Sequence, residues 1–433
     1  MNRLWIFALM AALLIIGCGS PAQNDSAVDG VASPNDDDDD AGGDNNPAGD
    51  ESPSDDDLCE PVAPAPWPEP DLTNPSTILV DDQLFFTVNG QRFYPLGFYN
   101  APEDAVGLAA YKAEGFNIAR NGPGCCGGTS LQDQIDLLHR GQDAGVMMIP
   151  HPWTPMEQVL TRTDEELAAE LAARDEVGSL FGWYTFDEPG LTGVPLELTH
   201  RAHQVLHDYD PYHPDGLVEQ TMIPFTYYMD DCAMFMIDPY PVGWMPLSFV
   251  KAAILDAKEA AAGTKPIVGV MQAFSWEWYD GDTSAEFHPN ALEVRNMTWQ
   301  FIVLGVSGIV PWTYGGDYSI HNQPDIWASY LLDVAEINEL MSVILADNAA
   351  LDFDAQTKFP ETFDYIVKQD ETATWILSVT ENTHGADVTF DLSALGSGLC
   401  IVDYTTGEIF GQDATDYVTV HYGGYQVRVL EIM

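Results

Sequence analysis

Basic residues are scarce in this sequence. Of its 433 residues, 15 are Lys or Arg and 68 are Asp or Glu, so that the formal net charge is −53. Nucleic-acid binding needs a basic surface that displaces counterions from phosphates, and a basic patch is also what attracts a protein to anionic lipid. The composition therefore argues against both kinds of partner. Global disorder is excluded as well, because 46% of the residues are hydrophobic and 11% are aromatic.

The N-terminal apolar run is too short to span a membrane. Residues 4–16 are 13 consecutive apolar residues, whereas a helix across a hydrocarbon core needs about 20. Arg3 before this run is typical of an export signal, and the sequence IIGC at its end resembles the lipobox of bacterial lipoproteins. We predict that residues 1–18 are a lipoprotein signal peptide with Cys18 as the lipidation site; the alternative is an ordinary signal peptide. The residue after Cys18 is Gly19 rather than Asp. By resemblance to proteobacterial sorting, this residue predicts an outer-membrane lipoprotein that faces the periplasm or the cell surface.

Residues 19–71 lack both basic and core-forming residues. They contain 16 Asp and Glu and no Lys or Arg, including the run from Asp36 to Asp40. Such a segment cannot bury a core, and charge repulsion favours an extended chain. We predict a disordered acidic linker over residues 19–71. Specific calcium binding by the Asp runs is a weaker alternative, because the spacing of a dedicated calcium loop is missing.

Beyond the linker, apolar residues alternate between the periods of strands and of amphipathic helices. A hairpin that turns at Asn89-Gly90 is predicted over residues 78–95. The predicted strands are 94–99, 116–120, 146–150, 180–186, 216–221, 232–237, 266–271 and 308–312. The predicted helices are 102–114, 131–144, 164–173, 196–207, 247–262, 291–304 and 326–345. Eight strand–helix units in about 250 residues, with a weak fifth helix, predict an α/β fold, a (β/α)8 TIM barrel over residues 72–350. A doubly wound open sheet is the alternative, but it lacks a Gly-rich phosphate turn.

The helical period stops at about residue 351. Short alternating segments separated by turn residues predict a small C-terminal antiparallel β-sandwich over residues 351–433. The predicted strands are 363–367, 374–379, 388–392, 399–404, 417–420 and 426–432. Packing beside the barrel is its expected role, with sugar binding as the alternative.

Active sites of such barrels lie at the C-terminal ends of the strands. Here those ends carry carboxylates and amides, which bind sugar hydroxyls, and aromatic rings, which stack on the apolar faces of sugars. The residues are Asn100, Arg120, Asn121, His151, Trp153, Asp187, Glu188, Gln220, Asp238, Tyr240, Gln272, Trp312 and Tyr314. The sequence has no metal-type cluster and no nucleotide loop, so we predict neither a metal nor another cofactor.

The strongest local motif is FGWYTFDEPG, residues 181–190, in which Asp187 and Glu188 end the fourth predicted strand. Adjacent carboxylates repel each other, so that one of them holds its proton near neutral pH and acts as an acid. A solvated loop pair at the start of the next helix is the competing interpretation. Because the chain has 68 acidic residues, position rather than identity favours the catalytic interpretation.

The region 78–345 resembles the (β/α)8 barrels of the glycoside hydrolase superfamily, clan A in particular, and is similar to uncharacterised bacterial members. The segment FTVNGQRFYPLGFYN resembles the start of many such enzymes. The resemblance implies that Glu188 is the acid/base glutamate after strand four. It also implies that Arg120 is the arginine after strand two and Trp312 the tryptophan after strand eight. A carbohydrate substrate is implied, and the predicted substrate-binding residues are Asn100, Arg120, His151, Trp153, Tyr240, Gln272, Trp276, Trp312 and Tyr314.

The sequence departs from clan A at two positions. Clan A has Asn before the acid/base Glu, where this chain has Asp187, and a nucleophile Glu ending strand seven, where it has Gln272. Glu277, five residues further on, is either a displaced nucleophile or base or a loop residue. Asp238 is a third candidate carboxylate, unless its DPYP context only shapes a turn. The predicted catalytic residues are therefore Glu188, Asp187, Glu277 and Asp238.

The primary prediction is a lipid-anchored glycoside hydrolase that cleaves O-glycosidic bonds of an extracellular or periplasmic glycan. A substrate-assisted N-acetylhexosaminidase is an alternative, because such enzymes carry an Asp-Glu pair after strand four and need no enzyme nucleophile. Asp187-Glu188 resembles that pair, with the Asp orienting the substrate acetamido group and the Glu as acid. Gln272 at the nucleophile position favours another alternative, a non-catalytic glycan-binding lipoprotein. A structural envelope lipoprotein is the remaining hypothesis.

Cysteines are few, six in all, and fit an exported protein. Without Cys18 their number is odd. Cys125 and Cys126 are adjacent in NGPGCCGG, after the second predicted strand. We hypothesise that they form a vicinal disulfide that shapes the sugar platform. Pairing with Cys59 or Cys232, or free thiols, are the alternatives.

Overall fold

The computed structural model describes residues 59, 61–120, 130–220, 223–277, 288–351, 353–370, 373–414 and 416–433. Residues 1–18 with Cys18, most of the predicted linker, and the pair Cys125 and Cys126 lie outside the described residues. The predictions made for them stay predictions. In the described part of the chain, no helix is both long and apolar enough to cross a membrane.

The predicted hairpin is part of a three-stranded antiparallel sheet at the N-terminal end of the barrel. Its strands are β1 (Ile78–Val80), β2 (Phe86–Val88) and β3 (Gln91–Phe93). Asn89 and Gly90 join β2 to β3 with φ angles of 52° and 87°, and a type I′ turn requires positive φ at both positions. The ring of Phe86 packs edge-on against Phe181 with 5.0 Å between the ring centroids, so the sheet covers the base of the barrel.

Eight parallel strands close into the predicted barrel. The first seven are β4 (Gly97–Tyr99), β5 (Ile118–Arg120), β6 (Met147–Met148), β7 (Trp183–Asp187), β8 (Asp215–Glu219), β9 (Met234–Ile237) and β10 (Ile267–Gly269), and residues 308–312 are the eighth. Hydrogen-bonded ladders join β4, β5 and β6 in this order, and β7, β8, β9 and β10 in this order. The amide of Phe181 donates to Met148 at 2.9 Å, that of Val310 to Gly269 at 2.8 Å, and that of Gly97 to Ile309 at 3.0 Å. These bonds connect the remaining neighbours, which confirms the (β/α)8 barrel.

Both faces of the barrel strands are apolar, as expected when helices cover the outside and side chains fill the inside. Met147, Val218, Met236, Val268 and Val310 belong to the interior cluster. A second, larger cluster fills the space between strands and helices. The polar residues of the barrel are therefore concentrated at the strand ends.

Helices follow the strands as predicted. Among the described residues, the long helices are Ala105–Ala113, Leu131–Ala144, Asp164–Ala172, Leu196–Tyr209, Ser248–Ala261, Ala291–Val303 and Pro324–Glu339, and the short ones are Pro189–Thr192 and Met341–Ile344. Ser130, Thr163 and Asn290 each begin a helix with a capping box. In the fifth unit two 3₁₀ turns, Phe225–Tyr227 and Met229–Asp231, stand where the sequence predicts a weak helix.

The C-terminal region is the predicted antiparallel β-sandwich. Its strands are β11 (Ala355–Thr357), β12 (Phe363–Gln369), β13 (Thr374–Thr380), β14 (Ala386–Asp391), β15 (Leu399–Asp403), β16 (Ile409–Ala414), β17 (Tyr417–Tyr422) and β18 (Val427–Ile432). One sheet has the order β12-β13-β18-β15-β16 and the other β11-β14-β17. The strands β11 and β16 are not predicted, because β11 has only three residues and β16 contains Gly and polar residues in place of an apolar alternation.

The sandwich packs on the barrel helix Ala291–Val303. The side-chain amide of Asn296, on this helix, donates hydrogen bonds to the backbone carbonyls of Thr380 at 2.9 Å and Tyr425 at 3.0 Å. An ion pair of 2.7 Å joins Lys251 of the barrel to Asp364 of the sandwich. These contacts agree with the expected role of the sandwich, which is to pack beside the barrel.

A disulfide links Cys59 to Cys400 of the sandwich, and Cys232 is a buried free thiol. These states exclude the alternative in which Cys125 or Cys126 pairs with Cys59 or Cys232.

Part of the predicted linker is packed on the folded region rather than extended away from it. The amide of Val62 donates to Glu431 at 3.1 Å, and the indole nitrogen of Trp67 donates to the carbonyl of Arg92 at 2.9 Å. The prediction of disorder up to residue 71 fails over residues 61–71, because their few apolar and polar groups find partners that only the folded chain provides.

Candidate active site

Glu188 lies at the mouth of the barrel, directly after the fourth strand. Its amide donates to the carbonyl of Val218 at 3.0 Å, so strand pairing extends to this residue. Its backbone is left-handed, with φ 43° and ψ 57°, and Pro189 then begins the short helix Pro189–Thr192. A left-handed conformation is unfavourable for a side chain with a Cβ and is typically kept by its surroundings. Here it directs the chain sharply out of the sheet.

The carboxyl groups of Glu188 and Asp238 are in hydrogen-bonding contact. Asp238 follows the sixth strand and is 6% exposed. Burial, and then the charge of the partner carboxyl, raise the pKa of Asp238 well above its ordinary value. Burial and the charge of Asp187 also raise the pKa of Glu188. Two carboxyl groups in contact cannot both be ionised at low cost, so the pair retains one proton near neutral pH.

Asp187 is exposed at the mouth and is held by a pair of tyrosines. The hydroxyl of Tyr184 donates to Asp187 Oδ1 at 2.8 Å, and the hydroxyl of Tyr99 donates to that of Tyr184 at 3.3 Å. Both tyrosines are buried inside the barrel. This chain of hydroxyls fixes the direction of the Asp187 carboxylate.

Arg120 lies among the same tyrosines. Its guanidinium carbon is 3.9 Å from the ring centroid of Tyr184 and 5.1 Å from that of Tyr99. A terminal nitrogen of Arg120 lies 3.0 Å from Nε2 of His151. Burial and the charge of Arg120 lower the pKa of His151 to about 3, so that its neutral imidazole accepts this hydrogen bond. Arg120 therefore supplies a positive charge beneath the mouth of the barrel.

Aromatic side chains form one wall beside the carboxyl pair. The ring of Tyr240 is 5.1 Å from that of Phe274 and 6.2 Å from that of Trp276. Trp244 and Trp312 pack against the same cluster. We call these five residues the aromatic wall. Tyr240, Trp244 and Trp312 are only partly buried, and such rings suit the apolar faces of sugars.

Three predicted sugar contacts have positions that do not fit that role. Trp153 is 1% exposed and lies in the core, with its indole nitrogen 3.4 Å from the carbonyl of Leu167. Gln272 is 0% exposed, and its amide group exchanges hydrogen bonds with the amide and carbonyl of Val242 at 2.8 and 3.3 Å. Tyr314 stacks on His321 with 4.3 Å between centroids, in the layer of helices.

Asn100 and Glu277 have partners other than the Glu188–Asp238 pair. The amide nitrogen of Asn100 donates to the hydroxyl of Thr313 at 2.8 Å. Glu277 directly follows Trp276 of the aromatic wall, and its charge raises the pKa of His288 against the effect of burial. The pKa values of Glu188 and Asp238 are instead raised by the charges of Asp187 and Glu219. Among the described residues, the structure thus brings Asp238 beside Glu188 and sets Glu277 against a different partner.

Glu219 belongs to this carboxylate group and is missing from the predicted site. It ends the fifth strand and is 0% exposed. Burial raises its pKa to about 7, although hydrogen bonds from the amides of Gly190 and Gln220 oppose that shift. The predicted strand 216–221 ends two residues beyond the observed strand Asp215–Glu219, and Gln220 therefore stands among the predicted strand ends in place of Glu219. A strand end at Glu219 is the sequence signal that identifies this residue.

One group of metal-type ligands occurs in the described part of the chain, and it lies away from the mouth. Ligand atoms of Asp175, Asp210 and His213 lie within 4.8 Å of one another. The indole nitrogen of Trp183, at the start of the fourth strand, donates to Asp210 at 2.6 Å, and Asp210 contacts His213 at 2.8 Å. These bonds make the group a part of the barrel base.

No protein-family model matches this sequence, and no curated protein matches it. Solved structures do resemble it. A glycoside hydrolase family 5 protein from Bacteroides vulgatus ATCC 8482 is 14% identical, with a TM-score of 0.57 over 82% of this chain and 93% of that chain. A noncanonic maltogenic alpha-amylase from Thermotoga neapolitana is 12% identical, with a TM-score of 0.51 over 79% and 98%. An alpha-amylase from Geobacillus thermoleovorans, complexed with acarbose, is 10% identical, with a TM-score of 0.50 over 78% and 96%.

At these identities the likeness concerns the fold alone. The predicted resemblance is confirmed at that level: this chain has the barrel fold of glycoside hydrolases, followed by a β-sandwich.

Proposed function

We propose that this protein is a glycoside hydrolase that cleaves O-glycosidic bonds, with Glu188 as the general acid/base. The observation that carries the proposal is the contact between the carboxyls of Glu188 and Asp238 at the C-terminal mouth of the barrel. A buried carboxyl that keeps a proton near neutral pH is the general acid that glycosidic cleavage needs. The glycoside hydrolases with similar folds support the reaction class.

In the proposed reaction Glu188 donates its proton to the leaving oxygen while the bond from that oxygen to the anomeric carbon breaks. Positive charge then develops on the sugar, and the carboxylates at the mouth stabilise it electrostatically. Asp238 touches the acid and is therefore too close to it to be the nucleophile of a retaining pair, whose carboxyl groups lie about 5–5.5 Å apart. Water completes the reaction and returns a proton to Glu188. In this proposal Asp238, the carboxyl in contact with the acid, shares its proton.

The substrate we propose is a neutral glycan. Tyr240, Trp244 and Trp312 of the aromatic wall offer partly buried rings beside the carboxyl pair, and such rings stack on the apolar faces of sugars. The net charge of −53 repels polyanionic chains at distances below about 8–10 Å in physiological salt. We also propose a lipid anchor at Cys18 and an outer-membrane location, which rest on the N-terminal sequence.

A substrate-assisted N-acetylhexosaminidase is the second candidate. The observation that favours it is the hydrogen bond of 2.8 Å from Tyr184 to Asp187, which holds a carboxylate next to Glu188. In that mechanism the acetamido oxygen of the substrate attacks the anomeric carbon, and Asp187 orients the acetamido group. In this mechanism as well, Asp238 would tune the acid.

A panel of chromogenic glycosides, with and without 2-acetamido groups, tests the proposal. We expect wild-type cleavage of at least one substrate and a loss of about a thousandfold or more in kcat for Glu188→Gln. Exposed Glu197, changed to Gln, is the matched control that keeps wild-type activity. Cleavage limited to 2-acetamido sugars would select the substrate-assisted mechanism. Binding of glycans without any cleavage would replace the proposal by the glycan-binding alternative, and undiminished turnover by Glu188→Gln would remove Glu188 from its role.

A further inference from the structure

We infer that Glu219 is a positioning residue for Glu188: its buried carboxylate fixes the turn that presents Glu188 at the mouth of the barrel. The inference rests on the proposed function, since it assigns a second task to the carboxylate group of the same site. It concerns a residue of the fifth strand that does not itself touch the substrate in the proposed reaction.

Both oxygens of the Glu219 carboxylate accept hydrogen bonds from backbone amides. Oε2 accepts a hydrogen bond of 2.7 Å from the amide of Gly190, and Oε1 accepts one of 3.1 Å from the amide of Gln220. Gly190 lies two residues after Glu188, in the first turn of the short helix Pro189–Thr192. A buried amide without an acceptor is destabilising, and Glu219 supplies the acceptor from the neighbouring strand.

This contact restrains the backbone of Glu188 from its C-terminal side. On the N-terminal side, the amide of Glu188 donates to Val218 at 3.0 Å. Between these two anchors Glu188 has φ 43°, a conformation that a residue with a Cβ keeps only under restraint. Val218 and Glu219 are consecutive residues of the fifth strand. The end of this strand therefore accepts the hydrogen bonds on both sides of the turn, from the amides of Glu188 and Gly190.

The turn is built around the carboxylate. A Cβ added at Gly190 would lie 2.7 Å from Glu219 Oε2 and 2.6 Å from Ile223 Cγ1. Such distances are too short for a real contact, so a side chain at position 190 would displace the Glu219 carboxylate or Ile223. The close approach of Glu219 to the Gly190 backbone therefore depends on the absence of a Cβ.

The charge of Glu219 also acts on the proton of the proposed acid. Glu219 is one of the groups that raise the pKa of Glu188 and of Asp238. Removal of its charge should lower the pKa of Glu188, because ionisation of Glu188 would meet less repulsion. A merely structural residue would not move this pKa.

The kinetic test compares Glu219→Gln, Glu219→Ala and the exposed control Glu197→Gln on a substrate that the wild type cleaves. In Glu219→Gln the remaining oxygen accepts from the Gly190 amide, and only the acceptor for the adjacent Gln220 amide is lost. The value of kcat should therefore stay within about threefold, while the alkaline limb of the pH profile shifts to lower pH. Glu219→Ala removes the acceptor as well, and kcat should fall about tenfold to a hundredfold with little change in KM. The control should leave both the profile and kcat unchanged.

A second measurement needs no substrate. In protein labelled with ¹³C at glutamate carboxyls, the Glu188 resonance is assigned from its loss in Glu188→Gln. Its titration midpoint should lie at lower pH in Glu219→Gln than in the wild type and in Glu197→Gln. An unchanged midpoint together with wild-type kcat in Glu219→Ala would overturn the inference. Failure of the wild type to cleave any glycoside would instead overturn the proposed function, and the midpoint would still decide the role of Glu219 toward Glu188.

Discussion

The carboxyl of Glu188 meets that of Asp238 across the end of the fifth barrel strand. The two residues follow the fourth and sixth strands, which are not neighbours, and Glu219 ends the strand between them. Three acidic groups thus converge from consecutive strands on one small region. Their mutual repulsion and burial oppose ionisation of all of them together, which is the physical source of the proton that the proposed acid delivers.

Replacement of Asp238 by Ala should separate two contributions of this residue. The hydrogen bond with Asp238 lowers the pKa of Glu188, so without it the pKa of Glu188 should rise, and the alkaline limb of activity should move to higher pH. If Asp238 also delivers the shared proton during the reaction, kcat should fall by about a thousandfold or more. The pH dependence of kcat and kcat/KM measures both. A near-normal kcat with a shifted limb would assign Asp238 to tuning, and an unaltered profile would contradict the contact.

Arg120→Met should raise the pKa of His151 from about 3 toward its ordinary value, because the neighbouring positive charge is lost while burial remains. Loss of the contact with Tyr184 should also reduce the free energy of unfolding by about 0.5–2 kcal/mol. NMR titration of the imidazole and denaturant unfolding measure these effects. Arg140→Met on an outer helix is the control, and a fixed His151 midpoint in Arg120→Met would count against the proposed charge.

Glu381 should make the junction of barrel and sandwich sensitive to high pH. Burial and its contact with Asp364 raise the pKa of Glu381 to about 9 in the folded protein, above the ordinary value of about 4.3. Its contribution to stability is thus complete below about pH 4 and is lost as pH rises to about 9. Glu381→Gln should flatten this loss in urea unfolding followed from pH 6 to 10. Equal slopes in variant and wild type would contradict the prediction.

Loss of the Cys59–Cys400 disulfide should destabilise the protein by about 2–4 kcal/mol. Cys59→Ser, Cys400→Ser and the double variant should unfold at the same lower denaturant concentration, because each removes the same bond. The buried free thiol of Cys232 makes Cys232→Ser the control, in which the disulfide remains and dithiothreitol still lowers stability. Additive losses in the double variant would mean that the two cysteines are not bonded to each other.

Much of the architecture was accessible from periodicity. The alternation of short apolar runs with amphipathic helices predicts the barrel, and Asn89-Gly90 predicts the hairpin turn, since only local chemistry is needed. The predicted helix 131–144 has the same bounds as the observed helix Leu131–Ala144, which Ser130 and Gly145 cap in the structure. The position of Glu188 after the fourth strand follows from the same strand count.

The composition of the site depends on tertiary packing. Gln272 and Trp153 end strands like the other candidates, yet one is bonded to Val242 and the other lies in the core. The predicted strand 216–221 places Glu219 inside the strand, whereas in the structure Glu219 ends the strand and its carboxylate accepts a hydrogen bond from the Gly190 amide. The sequence by itself determined the barrel, the sandwich and the acidic character, since these depend on local period and composition. Only the tertiary structure decided which carboxyls meet and which polar ends bond within the protein, because that depends on how strands stagger and where their ends turn.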